Sequence, residues 1–277
     1  MKFLKIAILD MYDNRPNEGM RCILRLIRQA QTDGAALYFD VFNVRANGEL
    51  PALDYDIYIS SGGPGSPLPS DEPWEQPYFA LIDSIFAWNS IHVRKKHLLL
   101  ICHSFQLVSR HLGVGTLGRR KSTSFGIFPI SKTEAGQTDP LFAALPTPFY
   151  AVDSRDYQVT EPDANHMADL GIKVLCLEKE RPHVPLERAI MAIRFTPEII
   201  GTQFHPEADG EGMLRYFLTD AKRQQIVIEH GEDKYNEMVR LLQDPGTIEL
   251  TESVVVPTFL REAIAALLTP EATLQPA

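Results

Sequence analysis

Long apolar runs are missing from this 277-residue chain, and its N-terminus, Met1-Lys2-Phe3-Leu4-Lys5-Ile6-Ala7-Ile8-Leu9-Asp10, has no extended apolar stretch leading to a small-residue cleavage site. A cytoplasmic protein with no membrane span is therefore expected. Cysteine is scarce: Cys22, Cys102 and Cys176 are odd in number and never spaced Cys-x-x-Cys, which argues against a disulfide framework or a thiolate zinc site. Positive charge is also in deficit, 27 Lys and Arg against 36 Asp and Glu for a formal net charge of −9. That balance argues against nucleic acid or an anionic membrane as the main partner. The short basic clusters Arg94-Lys95-Lys96 and Arg119-Arg120-Lys121 neither alternate with aromatics nor follow a glycine-rich phosphate loop, so both read as solvated loops. No Gly-x-x-x-x-Gly-Lys-Ser/Thr loop occurs, and His92, His97, His111 and His166 form no ligand grouping, so no metal site is expected.

The composition that remains, 44% hydrophobic and 23% charged, is that of a globular protein able to bury a substantial core. Residues 4–10, 37–44, 55–61 and 97–102 read as strands, separated by helical patterns near Glu18–Thr32 and Pro73–Asn89, with a further helix near Ser104–Leu112. This cadence predicts βαβ units and a doubly wound, mostly parallel α/β sheet with ligands at the carboxyl ends of its strands. Beyond Ser122 the short strand patterns 125–130, 149–152, 173–177, 189–195 and 199–204 predict antiparallel additions. A helix near Glu211–Glu229 follows, then amphipathic segments Asp233–Gln243 and Pro257–Leu268 and a frayed tail. The expected domains are 1–220 and a helical C-terminal extension, 221–277. Cys22 and Cys176 read as small buried hydrophobes.

Three segments carry chemistry, each at a predicted strand end. Leu98-Leu99-Leu100-Ile101 runs into Cys102, then Ser104, as a strand turns into a helix and presents a thiol. A cysteine attacks as its thiolate, and a helix N-terminus favours that form by supplying partial positive charge and free N–H groups. The same turn directs the His103 N–H toward a developing oxyanion, and Gly63, in Ser61-Gly62-Gly63-Pro64-Gly65, offers a second donor. His205 in Gln203-Phe204-His205-Pro206-Glu207 is placed to act as general base and acid, with Glu207 orienting it. Each feature alone has a structural explanation: a core thiol, a turn, a strand end. Together they fit acyl transfer through a thioester.

These segments resemble the class I glutamine amidotransferase family, of the triad type related to the amidotransferase portion of GMP synthetase. The resemblance covers roughly residues 1–220 and rests on Ser60 to Pro67, Ile101 to Gln106 and Gln203 to Glu207. It implies a flavodoxin-like fold, Cys102 as nucleophile, His205 and Glu207 completing a triad, and Gly63 and His103 as oxyanion donors. It further implies substrate contacts from Gln106 and from Ser154, Asp156 and Tyr157, with glutamine or another γ-glutamyl small molecule as substrate and no cofactor. Two flanking glycines usual in the family are replaced by Leu100 and Ser104, and Arg155 stands where many relatives carry histidine.

The ammonia acceptor would be a separate synthetase subunit, unless the protein is a free-standing hydrolase. Three alternatives stay open: a DJ-1/PfpI-like cysteine hydrolase, which shares the core and thiol but usually lacks the later His-Pro-Glu; an acyltransferase with the same triad, its thioester resolved by an amine or hydroxyl; and a non-catalytic interaction protein on the same scaffold.

Overall fold

The computed structural model describes residues 2–30, 34–183, 185–244 and 246–269. Its strands are β1 (Lys2–Asp10), β2 (Ala35–Asn43), β3 (Ile57–Ser60), β4 (His97–Ile101), β5 (Thr116–Lys132), β6 (Phe149–Thr160), β7 (Lys173–Glu178), β8 (Ile190–Thr196) and β9 (Ile199–Thr202). The helices are α1 (Glu18–Gln29), α2 (Val44–Asn47), α3 (Glu75–Ile91), α4 (His103–His111), α5 (Glu134–Thr138), α6 (Ala164–Asp169), α7 (Gly210–Phe217), α8 (Asp220–His230), α9 (Glu232–Leu242) and α10 (Ile248–Leu268).

All nine strands form one sheet, ordered β2-β1-β3-β4-β9-β8-β7-β5-β6. β2, β1, β3, β4 and β9 pair in parallel, and β8, β7, β5 and β6 continue the sheet antiparallel, as the short strand patterns predict. The order reverses around β1, which opens a crevice at the carboxyl ends of β1 and β3.

The parallel strands are covered on both faces. Leu4, Ile6 and Ile8 of β1 pack on Ile23 and Ile27 of α1 and on Phe259, Leu260 and Ile264 of α10. Ala7 and Leu9 point the other way, toward Tyr78 and Ile82 of α3 and Phe105 and Val108 of α4. Cys22 and Cys176 are buried as expected, and burial drives both thiols away from ionisation, Cys22 up to about 11.

Several boundaries differ from the sequence expectation. α1 is capped by the Asn17 side chain accepting from the Met20 N–H, and it ends at Gln29; Thr32 and the tail from Pro270 lie outside the described residues. The helix expected over 211–229 is two helices, because Thr219 is extended and its hydroxyl takes the Tyr216 carbonyl of α7. α10 starts at Ile248, so Pro257 lies inside it; burial on both sides, at Val255, Val256, Phe259 and Leu260, offsets the lost donor. The basic clusters are solvated only in part: Arg94 to Lys96 is a loop, and Arg119 and Lys121 are exposed, but Lys96 and Arg120 are drawn inward. Lys96 is buried with Nζ on the Tyr55 carbonyl at 2.8 Å, and Arg120 lies in β5 with 10% of its side chain exposed, tied to Glu178 at 3.0 Å. Carboxylates and carbonyls brought up from distant strands satisfy these cations.

Candidate functional site

β4 is wholly buried and delivers Cys102 at the head of α4 with φ 48° and ψ −98°. An L-residue in this region carries strain of order 1–3 kcal/mol, so neighbouring bonds must fix it. They are the Cys102 N–H to Thr202 O at 2.7 Å and the Gln106 N–H to Cys102 O at 3.0 Å. The Cys102 thiol donates to Ser154 O, and its Sγ accepts from Gln203 Nε2, both at 3.7 Å.

His205 is anchored to β6 by its N–H on Val152 O at 2.9 Å. Its Nδ1 meets Glu207 Oε1 at 2.8 Å, and the ring lines the same cavity as Cys102. Burial opposes charge on this ring, but the Glu207 carboxylate and the Cys102 sulfur outweigh it and hold the imidazole well above its ordinary pKa. Glu207 is fully buried, and its Oε2 has no partner among the described residues.

The loop after β3 fits against this pair only because it is glycine. A Cβ at Gly62 would sit 2.7 Å from His205 Cε1, and one at Gly63 would sit 2.3 Å from the Met11 carbonyl oxygen. The Gly63 and His103 N–H groups have no protein acceptor among the described residues. Burial, then Arg45 and Arg110, lower the His103 side chain to about 3, so it is neutral and contributes its backbone rather than an acid or base.

Ser104, where the resemblance implies glycine, is fully buried and occupied. Its hydroxyl has one proton, and the Ser61 carbonyl at 2.7 Å can only accept it. Ser60 must therefore donate to Ser104 at 2.7 Å, and Tyr78 to Ser60 at 3.0 Å. This relay ties α4 to the loop that carries Gly63. The other departure, Leu100, is a fully buried core residue registered against Gly201.

Cys102, His205, Glu207, Gly63, His103, Gln106, Ser154, Asp156 and Tyr157 all line one cavity of about 690 Å³. Ser154 and Asp156 share a face of β6; Asp156 is held by the Thr123 hydroxyl at 2.6 Å. Gln106 Nε2 is already committed to Tyr157 O at 3.0 Å and Gln203 Oε1 at 2.9 Å. Arg155 also lines this cavity, with its guanidinium held in ion pairs with Asp153 at 2.9 Å and Glu178 at 3.4 Å.

Sequence reasoning assigned no role to two residues here. Gln203 touches the thiol; its separation of two from His205 was the available signal. Tyr12 follows β1 at another strand end and lines the same cavity. Burial, then Glu207 and Cys102, keep its phenol protonated.

A family model described as glutamine amidotransferase class-I matches residues 21–221. A glutamine amidotransferase from Thermotoga maritima superposes with a TM-score of 0.68 at 14% identity, covering 94% of this chain and 98% of that one. A glutamine amidotransferase from Methylobacillus flagellatus gives 0.63 at 15% identity, over 100% of this chain and 99% of that one. The glutaminase domain of Trypanosoma brucei CTPS, solved with acivicin, gives 0.56 at 13% identity, over 95% and 93%. No curated protein matches the chain by sequence.

Proposed function

Because this chain belongs to the class I glutamine amidotransferase family, we propose that it hydrolyses the side-chain amide of glutamine, or of a related γ-glutamyl compound, through a thioester on Cys102. The observation that carries this reading is the strained Cys102 in one cavity with a His205 that Glu207 holds at 2.8 Å.

His205 takes the Cys102 thiol proton, the thiolate attacks the amide carbon, a C–S bond forms, and the carbonyl electron pair moves to oxygen. The Gly63 and His103 N–H groups stabilise that oxyanion. Collapse breaks the C–N bond as His205, charged beside Glu207, gives its proton to the departing ammonia. Water then attacks the thioester, His205 takes its proton, and the acid leaves with the thiol restored. Ser154, Asp156, Tyr157 and Gln106 orient the glutamyl part. The three unpaired thiols suit a reducing, cytoplasmic setting. Ammonia goes to water or to a separate acceptor subunit, and a rise in turnover on adding a candidate acceptor tells the two apart.

The test is ammonia release from glutamine, with mass spectrometry of the protein after an electrophilic glutamine analogue. The expected adduct is on Cys102, Cys102→Ala abolishes turnover, and His205→Ala lowers it by about 10²-fold or more. A protein that releases ammonia from no γ-glutamyl amide and takes no adduct is the non-catalytic scaffold instead.

A further inference from the structure

A second cavity, of about 250 Å³, lies between β5, the end of β7 and α9. It shares Thr123 and Phe125 with the cavity that holds Cys102, and its charged lining is Arg120, Lys179, Arg181, Lys234, Asp153 and Glu178.

These charges do not balance. Glu178 alone receives three guanidiniums: Arg120 at 3.0 Å, Arg155 at 3.4 Å and Arg181 at 2.8 Å. Asp153 is taken by Arg155 and by the Ser124 hydroxyl, at 2.9 and 2.7 Å. Lys179 has no carboxylate within ion-pair distance among the described residues; its ammonium lies 5.2 Å from the Phe128 ring centre. Lys234 lies 5.6 Å from the same ring and, among the described residues, reaches only Glu237, at 2.8 Å. Arg181 Nε is buried without an acceptor. Burial, then repulsion from Arg155, hold the Arg120 guanidinium below the usual arginine range, as expected where cations outnumber carboxylates. In a chain of net charge −9 this local excess of cation runs against the whole.

A buried donor and an ammonium without a carboxylate are both satisfied by an anion that brings acceptor oxygens. The space suits a group of a few heavy atoms, because whole small-molecule sites run to about 300–1,000 Å³. We propose that this cavity binds an oxyanion, a carboxylate or phosphate group, on Lys179, Lys234 and Arg181. The group comes either from a free oxyanion or, resting on the γ-glutamyl reading above, from the amine half of a substrate that reaches across Thr123.

Inorganic phosphate titrated calorimetrically into the full chain at low ionic strength tests this without any turnover assay, so its failure is separate from failure of the hydrolase reading. Saturable binding is expected, weakened by about tenfold or more in Lys179→Met and in Lys234→Met, with thermal midpoints unchanged in the absence of phosphate. No saturable binding, or binding that neither substitution weakens, overturns the proposal. Where binding holds, phosphate that competes with a carboxylate-bearing γ-glutamyl amide but not with glutamine assigns the group to the substrate. Phosphate that alters glutamine turnover without competing assigns it to a free oxyanion.

Discussion

At His205 two opposing effects meet, and their balance sets how the site responds to pH. Burial alone favours the neutral ring; Glu207 and then Cys102 reverse that and raise its pKa well above 6.5. A raised folded-state pKa contributes stability that is complete below the unfolded value, about 6.5, and lost as pH rises through the folded value. Glu207→Gln removes the stronger partner. The expected result is a gap in urea midpoint between wild type and variant that is widest near pH 6 to 7 and narrows toward alkaline pH. The alkaline limb of kcat/KM for ammonia release should move to lower pH in the same variant, since the protonated ring survives over a shorter range. A gap that widens with rising pH would show that Glu207 acts otherwise.

Between elements, the join that matters is α4 to the end of β3 through Ser104. Ser104→Ala leaves the buried Ser61 carbonyl without its partner and the Ser60 hydroxyl with Tyr78 alone, and an orphaned buried group costs about 1–3 kcal/mol. A lowered urea midpoint is expected, with kcat falling more than KM rises, because the Gly63 loop loses its tie to α4. Ser104→Gly should be no better, since glycine adds about 0.5–1 kcal/mol of helix cost. An unchanged midpoint and kcat in both variants would show the relay to be idle. The elbow itself was legible from sequence because an apolar run of strand length ending at a cysteine has few other readings. The His-Pro-Glu segment was legible for the same kind of reason. The relay was not, because it joins hydroxyls from Ser60, Tyr78 and Ser104, whose approach depends on tertiary packing. Likewise β5 runs from Thr116 to Lys132 through a register shift between Arg119 and Ser124, and a bulge breaks the alternation that reveals a strand. Local rules also place a helix start at Pro257, and only the burial of α10 against β6 and α1 overrides them.

Across the whole molecule the sheet divides the labour. Its parallel half presents Cys102, and its antiparallel half carries Ser154 and Asp156 on one face of β6 and the ion pair of Asp153 with Arg155 on the other; Asp153 lines the second cavity, while Arg155 lines the first. The alternation of β6 makes this unavoidable, since neighbouring residues face opposite ways. The Arg155 guanidinium is therefore held by Asp153 and Glu178, although the residue lies between Ser154 and Asp156 and lines the same cavity as they do. Burial opposes charge on Glu178, but Arg155, followed by Arg120 and Arg181, holds its carboxyl below the ordinary value of 4.5. A depressed folded-state pKa contributes stability that is present above the unfolded value and lost as pH falls through the folded one. Arg155→Ala leaves Asp153 and part of Glu178 buried without their cation, a loss of about 3–5 kcal/mol at neutral pH. Urea midpoints measured from pH 7 downward should show the gap to wild type closing in acid, as Glu178 protonates. Arg155→His should recover little of it, because one imidazole cannot span both the 2.9 Å and 3.4 Å contacts that the guanidinium makes. If Arg155→Ala instead left stability intact and abolished glutamine turnover, the side chain would belong to the substrate face after all.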